Sequence, residues 1–207
     1  MGNPLFAALY DRMMASTERA GLADRRAGLL AQARGETLEL GAGTGLNLRH
    51  YPPAVTALVL AEPDAAMARR LRKRAAAAAC AVEVVEAPAE RLPFPDARFD
   101  TAVVTLVLCT VADPRRALDE IARVLKPGAR LLFVEHVRAP GGRLATWQDR
   151  LERPWGWVAG GCHPNRDTLA TLEASALSVE SVEHGVLPKS PPLVRPLLAG
   201  TAVRDEA

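Results

Sequence analysis

The chain has 207 residues, of which 49% are apolar, so it is long enough to bury the core of one domain. Lys and Arg number 26 and Asp and Glu number 24, a near balance that argues against a general nucleic-acid-binding protein. The three cysteines, an odd number at long spacings, exclude a fully paired disulfide framework and favour a reducing, cytoplasmic compartment. Residues 1–14 do not have the pattern of a signal peptide, and no apolar run approaches the ~20 residues of a membrane span.

Apolar periodicity predicts helices and strands that alternate along most of the chain. A helical pattern over residues 6–33 comes first. The predicted strands that follow are 36–40, 55–61, 82–85, 99–108 and 130–137. The predicted helices between them are 46–50, 64–79 and 114–125. This alternation predicts βαβ units with right-handed crossovers, and therefore a parallel sheet that is covered by helices on both faces.

The alternation stops after Val137, where residues 138–168 insert extra material. All three tryptophans of the chain lie in this insertion, at positions 147, 155 and 157. A helix at about 167–176 and two strands, 177–183 and 198–203, are predicted to complete the chain. No internal repeat interrupts this order, so we expect a single domain.

A glycine-rich turn over residues 41–45 joins the first predicted strand to the next helix, and it is the strongest motif of the sequence. Three glycines let the backbone turn sharply and approach a ligand closely. A dinucleotide fingerprint would need a third glycine at the position of Leu46, so the spacing differs from that motif. Glu39 precedes the turn, and Glu62 closes the second strand, where a carboxylate can accept both hydroxyls of a ribose. The pattern therefore indicates a cofactor that contains a ribose.

This pattern resembles that of the class I S-adenosylmethionine-dependent methyltransferases. The segments that carry the resemblance are Glu39–Gly45, Leu60–Asp64, Ala89–Asp100 and Leu125–Gly128. The resemblance implies an α/β, Rossmann-like fold: a seven-stranded, mostly parallel sheet with helices on both faces and an antiparallel last strand. It divides the single domain, residues 1–207, into N-terminal helices (1–35), a cofactor-binding core (36–137), a lid insertion (138–168) and a C-terminal helix with strands (169–207).

The resemblance also implies a cofactor, S-adenosylmethionine, which leaves as S-adenosylhomocysteine, and the residues that hold it. These residues are Glu39, Gly41, Gly43, Gly45, Glu62, Pro63, Ala89, Glu90 and Thr105. The glycine turn and Thr105 are implied to border the methionine part, and Glu62 to bind the ribose. One position departs from the family, because Pro88 stands where related sequences commonly have Asp. Proline has neither a side-chain acceptor nor an N–H, so adenine recognition is expected to depend on the Ala89 backbone or on Glu90.

A narrower resemblance involves segments in the second half of the chain. These segments are 105–109, 135–137, 147–148 and 160–168. They are similar to those of bacterial phospholipid N-methyltransferases and of the microsomal thiol methyltransferases of animals. The two groups share a fold and a cofactor but not an acceptor, so a small, lipophilic thiol, amine or phenol stays open. The animal members carry an N-terminal apolar anchor; we find no such segment here and do not carry over their membrane attachment, although peripheral membrane contact stays open.

Methyl transfer from a sulfonium depends mainly on positioning the acceptor, so a dedicated catalytic side chain is not required. His136, which ends the fifth predicted strand, and His163, in a glycine-rich loop, are the candidate catalytic bases, and a structural role stays open for each of them. Cys109, Trp147 and Cys162 are the candidate acceptor-binding residues. Because neighbouring side chains of an extended segment point apart, Cys162 and His163 are not expected to act as a nucleophile pair, and neither a covalent mechanism nor a metal site is expected in this chain.

Leu144, Trp147 and Leu151 share one face of a predicted helix, and Pro154 is expected to begin a second short segment. We interpret the insertion as a lid with an apolar inner surface, against two alternatives: ordinary packing on the sheet edge, or contact with a membrane surface. The basic run 69–74 lacks aromatic residues and is typical of a solvated helix face, so no nucleic-acid partner is expected.

Two alternative functions have sequence requirements that differ from those of a methyltransferase. A nicotinamide-dependent oxidoreductase would need Gly at position 46 and a Tyr-x-x-x-Lys relay, and the sequence has neither. A non-catalytic S-adenosylmethionine-binding module would lack the acceptor side, for which residues 138–168 provide material. The sequence leaves the oligomeric state open.

Overall fold

The computed structural model describes residues 4–78 and 80–206, without the side chain of Phe6. Residues 1–3 of the predicted N-terminal segment and Ala79, at the end of the predicted helix 64–79, therefore lie outside the described residues. The strands are β1 (Gly35–Leu40), β2 (Val55–Ala61), β3 (Ala81–Val85), β4 (Phe99–Thr105), β5 (Leu125–His136), β6 (Leu177–Val186) and β7 (Pro196–Arg204). The α-helices are α1 (Pro4–Thr17), α2 (Ala23–Leu30), α3 (Ala65–Ala75), α4 (Pro114–Val124), α5 (Gly142–Val158) and α6 (Thr168–Glu173).

The strands form one seven-stranded sheet in the order β3-β2-β1-β4-β5-β7-β6. Neighbouring strands from β3 to β5 pair in parallel, whereas β7 pairs antiparallel with both β5 and β6. The predicted mostly parallel sheet with an antiparallel last strand is thus confirmed. The chain order reverses between β1 and β4, and ligands of open α/β sheets bind beyond the carboxyl ends of the strands at such a point.

Alternating side chains of the central strands face two apolar clusters, one on each face of the sheet. Leu38 and Val104 pack on the face that α4 covers, with Leu118 and Ile121 among the helix contacts. Val103 and Leu132 lie on the opposite face, with side chains of α2. Burial on both faces explains why these strands have near-continuous apolar sequences. Because both faces of these strands are buried, the few polar residues within them stand out.

Several predicted boundaries differ from the observed ones, such as the start of β5, which is Leu125 instead of residue 130, and three of the differences have identifiable reasons. The predicted helix 46–50 is only a 3₁₀ turn, Leu48–His50, because the proline pair at 52–53 leaves no room for more turns. The strand predicted to reach residue 108 ends at Thr105, because Leu106 adopts a positive φ of 59° and the chain then turns. Pro154 lies inside α5 instead of starting a new segment. Pro154 is exposed, so the carbonyl that it leaves without a helical donor can bond to water.

The predicted N-terminal helical segment consists of α1 and α2, joined by a π-helical turn at Glu18–Leu22. Gly21 in that turn has a φ of 130°, a value that a side chain would disfavour. The turn lets α1 cross the carboxyl edge of the sheet, where it contacts α3. Across residues 4–78 and 80–206, none of the helices has the length and apolar character needed to cross a membrane.

Candidate functional site

The glycine turn follows β1 at the point where the chain order of the sheet reverses. Gly41, Gly43 and Gly45 all have positive φ, at 57°, 58° and 86°. A Cβ at Gly41 would lie 2.7 Å from Val107 Cγ2, and one at Gly45 would lie 2.7 Å from Leu48 Cδ1. A Cβ at Gly43 would meet only Gly41 O, at 3.9 Å. Gly41 and Gly45 are therefore required by packing, whereas Gly43 borders open space in which a ligand can approach the backbone.

Glu62, the residue after β2, holds this turn through its carboxylate. Oε2 accepts a hydrogen bond from Gly43 N at 2.7 Å, and Oε1 accepts one from Asp64 N at 2.8 Å. Each oxygen keeps a second lone pair that can accept from a ribose hydroxyl. Burial raises the pKa of Glu62, and the two backbone N–H groups oppose that shift. Pro63, between these residues, is exposed.

Glu39 lies within β1 at the centre of a buried polar network. Its Oε1 accepts from Asn47 Nδ2 at 3.0 Å, and its Oε2 accepts from the Tyr51 hydroxyl at 2.7 Å. Asn47 also donates to Thr105 Oγ1 at 3.1 Å and accepts from Arg26 Nη1 at 2.9 Å. Burial raises the pKa of Glu39 to about 7. Through Asn47, Glu39 and Thr105 position the segment that follows the glycine turn. Direct contact of Glu39 and Thr105 with the cofactor stays a prediction.

Helix α1 is attached to the glycine turn by an ionic contact that sequence reasoning missed. Thr44 Oγ1 donates to Asp11 Oδ1 at 2.5 Å. Arg74 of α3 donates to Thr44 O at 2.9 Å and also pairs with the Asp11 carboxylate. The turn is therefore fixed from two helices, and α1 forms a cover over the site.

Glu18 and Tyr10 bring two further polar side chains to this edge from the N-terminal helices. Arg26 Nε donates to Glu18 Oε1 at 3.0 Å, whereas Glu18 Oε2 is buried and has no hydrogen-bond partner among the described residues. Burial raises the pKa of Tyr10 to about 12, and Arg26, Cys109 and Glu62 all interact with it electrostatically. Glu18 Oε2 thus offers a carboxylate oxygen that fits a cationic ligand group. Nothing in the sequence around these residues signalled such a role.

The predicted adenine-binding segment follows β3. Ala89 is buried, and Pro88 before it is exposed. Glu90 Oε1 accepts hydrogen bonds from Ala112 N at 2.7 Å and Asp113 N at 3.2 Å, just before α4. The Glu90 carboxylate thus secures the loop that leads into α4, and its predicted role in adenine binding has no direct support in these contacts.

Glu135, near the end of β5, is fully buried and organises the turn after β4. Its Oε1 accepts from Val107 N at 2.7 Å and Leu108 N at 3.0 Å, and its Oε2 accepts from Cys109 N at 3.3 Å. Burial raises the pKa of Glu135, and these three bonds act against that shift. The sequence signal for this role was a lone acid at the end of an apolar strand.

The turn after β4 brings Cys109 together with His136 and Cys162. His136 Nε2 lies 3.0 Å from Cys162 Sγ, and Trp155 Nε1 donates to the same sulfur at 3.2 Å. The neighbouring Cys109 thiol, together with the contacts to His136 and Trp155, lowers the pKa of Cys162 to about 4. The two sulfurs and a His136 ring nitrogen all lie within 4.8 Å of one another. The sequence did not anticipate this juxtaposition, because the three residues come from separate segments.

His163 and Trp147 lie outside this cluster. The His163 ring lies 2.7 Å from Glu152 Oε1, and only its backbone N–H reaches the cluster's loop, donating to Cys109 O at 2.8 Å. Trp147 is 48% exposed, because the buried residues of α5 are Ala145 and Gln148. Leu144 and Leu151, on the same helical face as Trp147, are half-buried, and the interpretation of this face as the inner surface of a lid stays a prediction. Trp155 is the tryptophan that contacts Cys162, and the roles of His163 and Trp147 in the reaction stay predictions.

Comparisons with known proteins agree with this geometry. A family model described as a methyltransferase domain matches residues 38–133. Thiol S-methyltransferase TMT1B of Rattus norvegicus is 37% identical over 81% of this chain and 70% of its own length. Thiol S-methyltransferase TMT1A of Homo sapiens is 32% identical over 96% of this chain and 83% of its own length. These two relatives cover the glycine turn and most of the remaining chain at an identity that establishes common family membership.

The fold is also similar to the folds of solved structures. An S-adenosylmethionine-dependent methyltransferase from Thermotoga maritima aligns with a TM-score of 0.71 over 98% of this chain and 97% of that chain, at 21% identity. That match concerns the fold alone. The open space at Gly43, the free lone pairs of Glu62 and the unpartnered Glu18 oxygen fit a ligand that carries both a ribose and an ammonium group. The chain therefore belongs to the class I S-adenosylmethionine-dependent methyltransferases, and S-adenosylmethionine is its cofactor.

Proposed function

We propose that this enzyme transfers the methyl group of S-adenosylmethionine to a small, apolar thiol. The observation that carries the proposal is the cluster beyond β4 and β5, in which Cys109, Cys162 and Val194 are buried together. Trp155 and Ala159 pack against these residues. The methyl groups of Val194 and Ala159 and the indole of Trp155 make an apolar surface that favours a lipophilic acceptor. The names of the two relatives, both thiol S-methyltransferases, support a thiol within that class.

Several residues of the site are assigned to holding the cofactor. When bound, S-adenosylmethionine supplies an electrophilic methyl group on a sulfonium sulfur. We assign the ribose hydroxyls to the Glu62 carboxylate and the close backbone approach to Gly43, which has open space beside it. The unpartnered Oε2 of Glu18 is assigned to the ammonium group of the methionine part. Thr105, whose hydroxyl accepts from Asn47, borders the same part from the end of β4.

A thiol acceptor also suits the limited proton-transfer machinery of the site. Thiols need less help with deprotonation than ammonium groups or carbon acids. The His136 ring is already engaged with Cys162, and the His163 ring with Glu152. Catalysis then depends mainly on positioning, which the Glu135-supported turn and Trp155 provide on the acceptor side.

Apolar residues at the surface are compatible with an acceptor that partitions into lipid. Leu5, Leu9 and Met13 are exposed along α1, and Trp157 and Val158 are exposed at the end of α5. Helix α1 also covers the cofactor edge through Asp11. These side chains keep open a peripheral contact with a membrane surface, from which a lipophilic acceptor would reach the site.

The test is a comparison of three acceptors that share one alkyl group and differ only in carrying a thiol, an amine or a phenol. Each is incubated with labelled S-adenosylmethionine, and methylated product is quantified. We expect the thiol to be methylated at least tenfold faster than the others, and Glu62→Gln to abolish turnover at low cofactor concentration. Glu183→Gln, on the exposed side of β6, is the matched control. Faster methylation of the amine or the phenol, or no product with any acceptor, would contradict the proposal.

A further inference from the structure

Two thiols and an imidazole are buried side by side at the acceptor end of the site, and methyl transfer by positioning does not require them. Cys109, His136 and Cys162 are only 2%, 4% and 9% exposed. Among the described residues, they form the one group of three metal-ligating side chains, each offering one donor atom within 4.8 Å of the others. In the sequence, only the adjacent Cys162 and His163 suggest a possible metal-binding pair, and no site is expected there. The structure instead brings together three donors from three separate segments.

The loops that carry the donors are held before any ligand binds. The Glu135 carboxylate accepts from the backbone N–H of Cys109, which fixes the turn after β4. The backbone N–H of His163 donates to Cys109 O at 2.8 Å, which joins that turn to the loop of Cys162. His136 ends β5, whose backbone is paired on both sides. A preorganised donor set of this kind is what a metal site requires.

The donor types and their spacing suit Zn²⁺. Tetrahedral zinc binds cysteine sulfur at about 2.3 Å and histidine nitrogen at about 2.0–2.1 Å, so its donors lie roughly 3.5–3.8 Å apart. The observed 3.0 Å between His136 Nε2 and Cys162 Sγ and the 4.8 Å limit for the whole set lie on either side of that range. Two thiolates and a neutral imidazole also balance the charge of Zn²⁺, which is what burial demands. The indole N–H of Trp155, 3.2 Å from Cys162 Sγ, supplies a hydrogen bond from outside the donor set.

We propose that Cys109, His136 and Cys162 bind one Zn²⁺ ion and leave its fourth position to the sulfur of the acceptor thiol. Three protein ligands with an open fourth position are typical of zinc that takes part in reactions, whereas structural zinc has four. The cluster adjoins the glycine turn, because Val107, two residues before Cys109, packs so closely on Gly41 that a Cβ there would lie 2.7 Å from Val107 Cγ2.

The second half of this proposal rests on the proposed function. On coordination, a lone pair of the acceptor sulfur forms a bond to zinc, the S–H bond breaks, and its proton passes to solvent; no atom changes oxidation state. A thiolate bound in this way remains a nucleophile at neutral pH.

Cobalt substitution tests the metal site without requiring turnover. The full chain, reduced with a phosphine and freed of metal by chelation, is titrated with Co²⁺ and followed by absorption. We expect a thiolate-to-cobalt charge-transfer band that saturates at one equivalent and is lost on addition of Zn²⁺. Cys162→Ser, checked for folding by circular dichroism, should bind Zn²⁺ at least tenfold more weakly, whereas Cys80→Ser, outside the cluster, should bind normally. No band in the wild-type protein, or an unchanged band in folded Cys162→Ser, overturns the site.

The acceptor half has its own readout. The cobalt-loaded protein with S-adenosylhomocysteine is mixed with a small alkyl thiol and, separately, with the alcohol of the same shape. We expect the charge-transfer band to gain intensity with the thiol alone. An unchanged band overturns the fourth-ligand assignment and leaves the metal site standing. Binding of S-adenosylhomocysteine to the metal-free protein, measured by calorimetry, does not involve zinc. Normal binding together with a failed cobalt experiment therefore overturns the zinc proposal alone, whereas absent binding overturns the proposed function.

Discussion

Replacement of Glu39 by Gln is expected to change how stability depends on pH. Burial raises the pKa of Glu39 from 4.5 to about 7. Between these values the folded protein keeps a proton that the unfolded chain has lost, so the free energy of unfolding falls as pH rises through this window. The full loss is about 3 kcal/mol, since each pH unit corresponds to about 1.36 kcal/mol. Glutamine does not ionise, so Glu39→Gln avoids the loss and gains stability relative to the wild type from pH 5 to pH 8.

The surroundings of Glu39 support an isosteric replacement. Asn47 Nδ2 can still donate to the remaining carbonyl oxygen, and the Tyr51 hydroxyl can accept from the new amide. Arg26 and Glu62 are the other charged groups that act on Glu39, with opposite signs. Their influence on the carboxylate is already contained in its pKa of about 7.

The assay is urea unfolding of both proteins at pH 5, 6, 7 and 8, with the free energy of unfolding extrapolated to water at each pH. We expect the variant minus wild-type difference to rise by about 2.5 kcal/mol across this series, mostly between pH 5 and pH 7. Glu183→Gln, exposed on β6, controls for loss of one negative charge and should give a constant difference. A constant difference for Glu39→Gln as well, or one that falls with pH, would refute the reasoning.

Three further variants test separate parts of the structure. Gly43→Ala places a Cβ on a backbone with φ of 58°, and should cost about 1–2 kcal/mol in urea unfolding and weaken S-adenosylhomocysteine binding in calorimetry. Glu135→Gln turns an amide toward the Cys109 N–H and should lower the free energy of unfolding by about 1–3 kcal/mol. Trp157→Ser, at a side chain 85% exposed, should change the free energy of unfolding by less than about 0.5 kcal/mol, and a larger loss would mean that this tryptophan is buried in solution.

The sheet could be predicted because its signals are local. The β2 strand, 55–61, is apolar except for Thr56 and was predicted with the observed bounds. Asp113 followed by Pro114 signalled the start of α4, and the Asp113 carboxylate does accept from two backbone N–H groups there. The glycine turn was recognised from its three glycines together with Glu39 and Glu62, and all three glycines do adopt the positive φ that glycine favours.

The polar contacts of the site could not be predicted because they join residues that are distant along the chain. Asn47 and Thr105 are 58 residues apart, and the alternation of side chains along a strand does not reveal which distant residue faces which. The only histidine next to Cys162 in sequence is His163, which was expected to point away from it, whereas the fold places Cys162 beside His136, 26 residues earlier. The exposed position of Trp147 was missed because a helical face of apolar residues identifies amphipathicity but not the partner it packs against.

Binding of S-adenosylhomocysteine, measured by isothermal titration calorimetry, tests the central claim most directly, because it depends on the cofactor site alone. The account predicts one site in the wild-type protein, an affinity at least tenfold weaker in Glu62→Gln, and no change in the exposed control Glu183→Gln. Absence of binding at millimolar S-adenosylhomocysteine, or equal affinity in Glu62→Gln and the wild type, would contradict it.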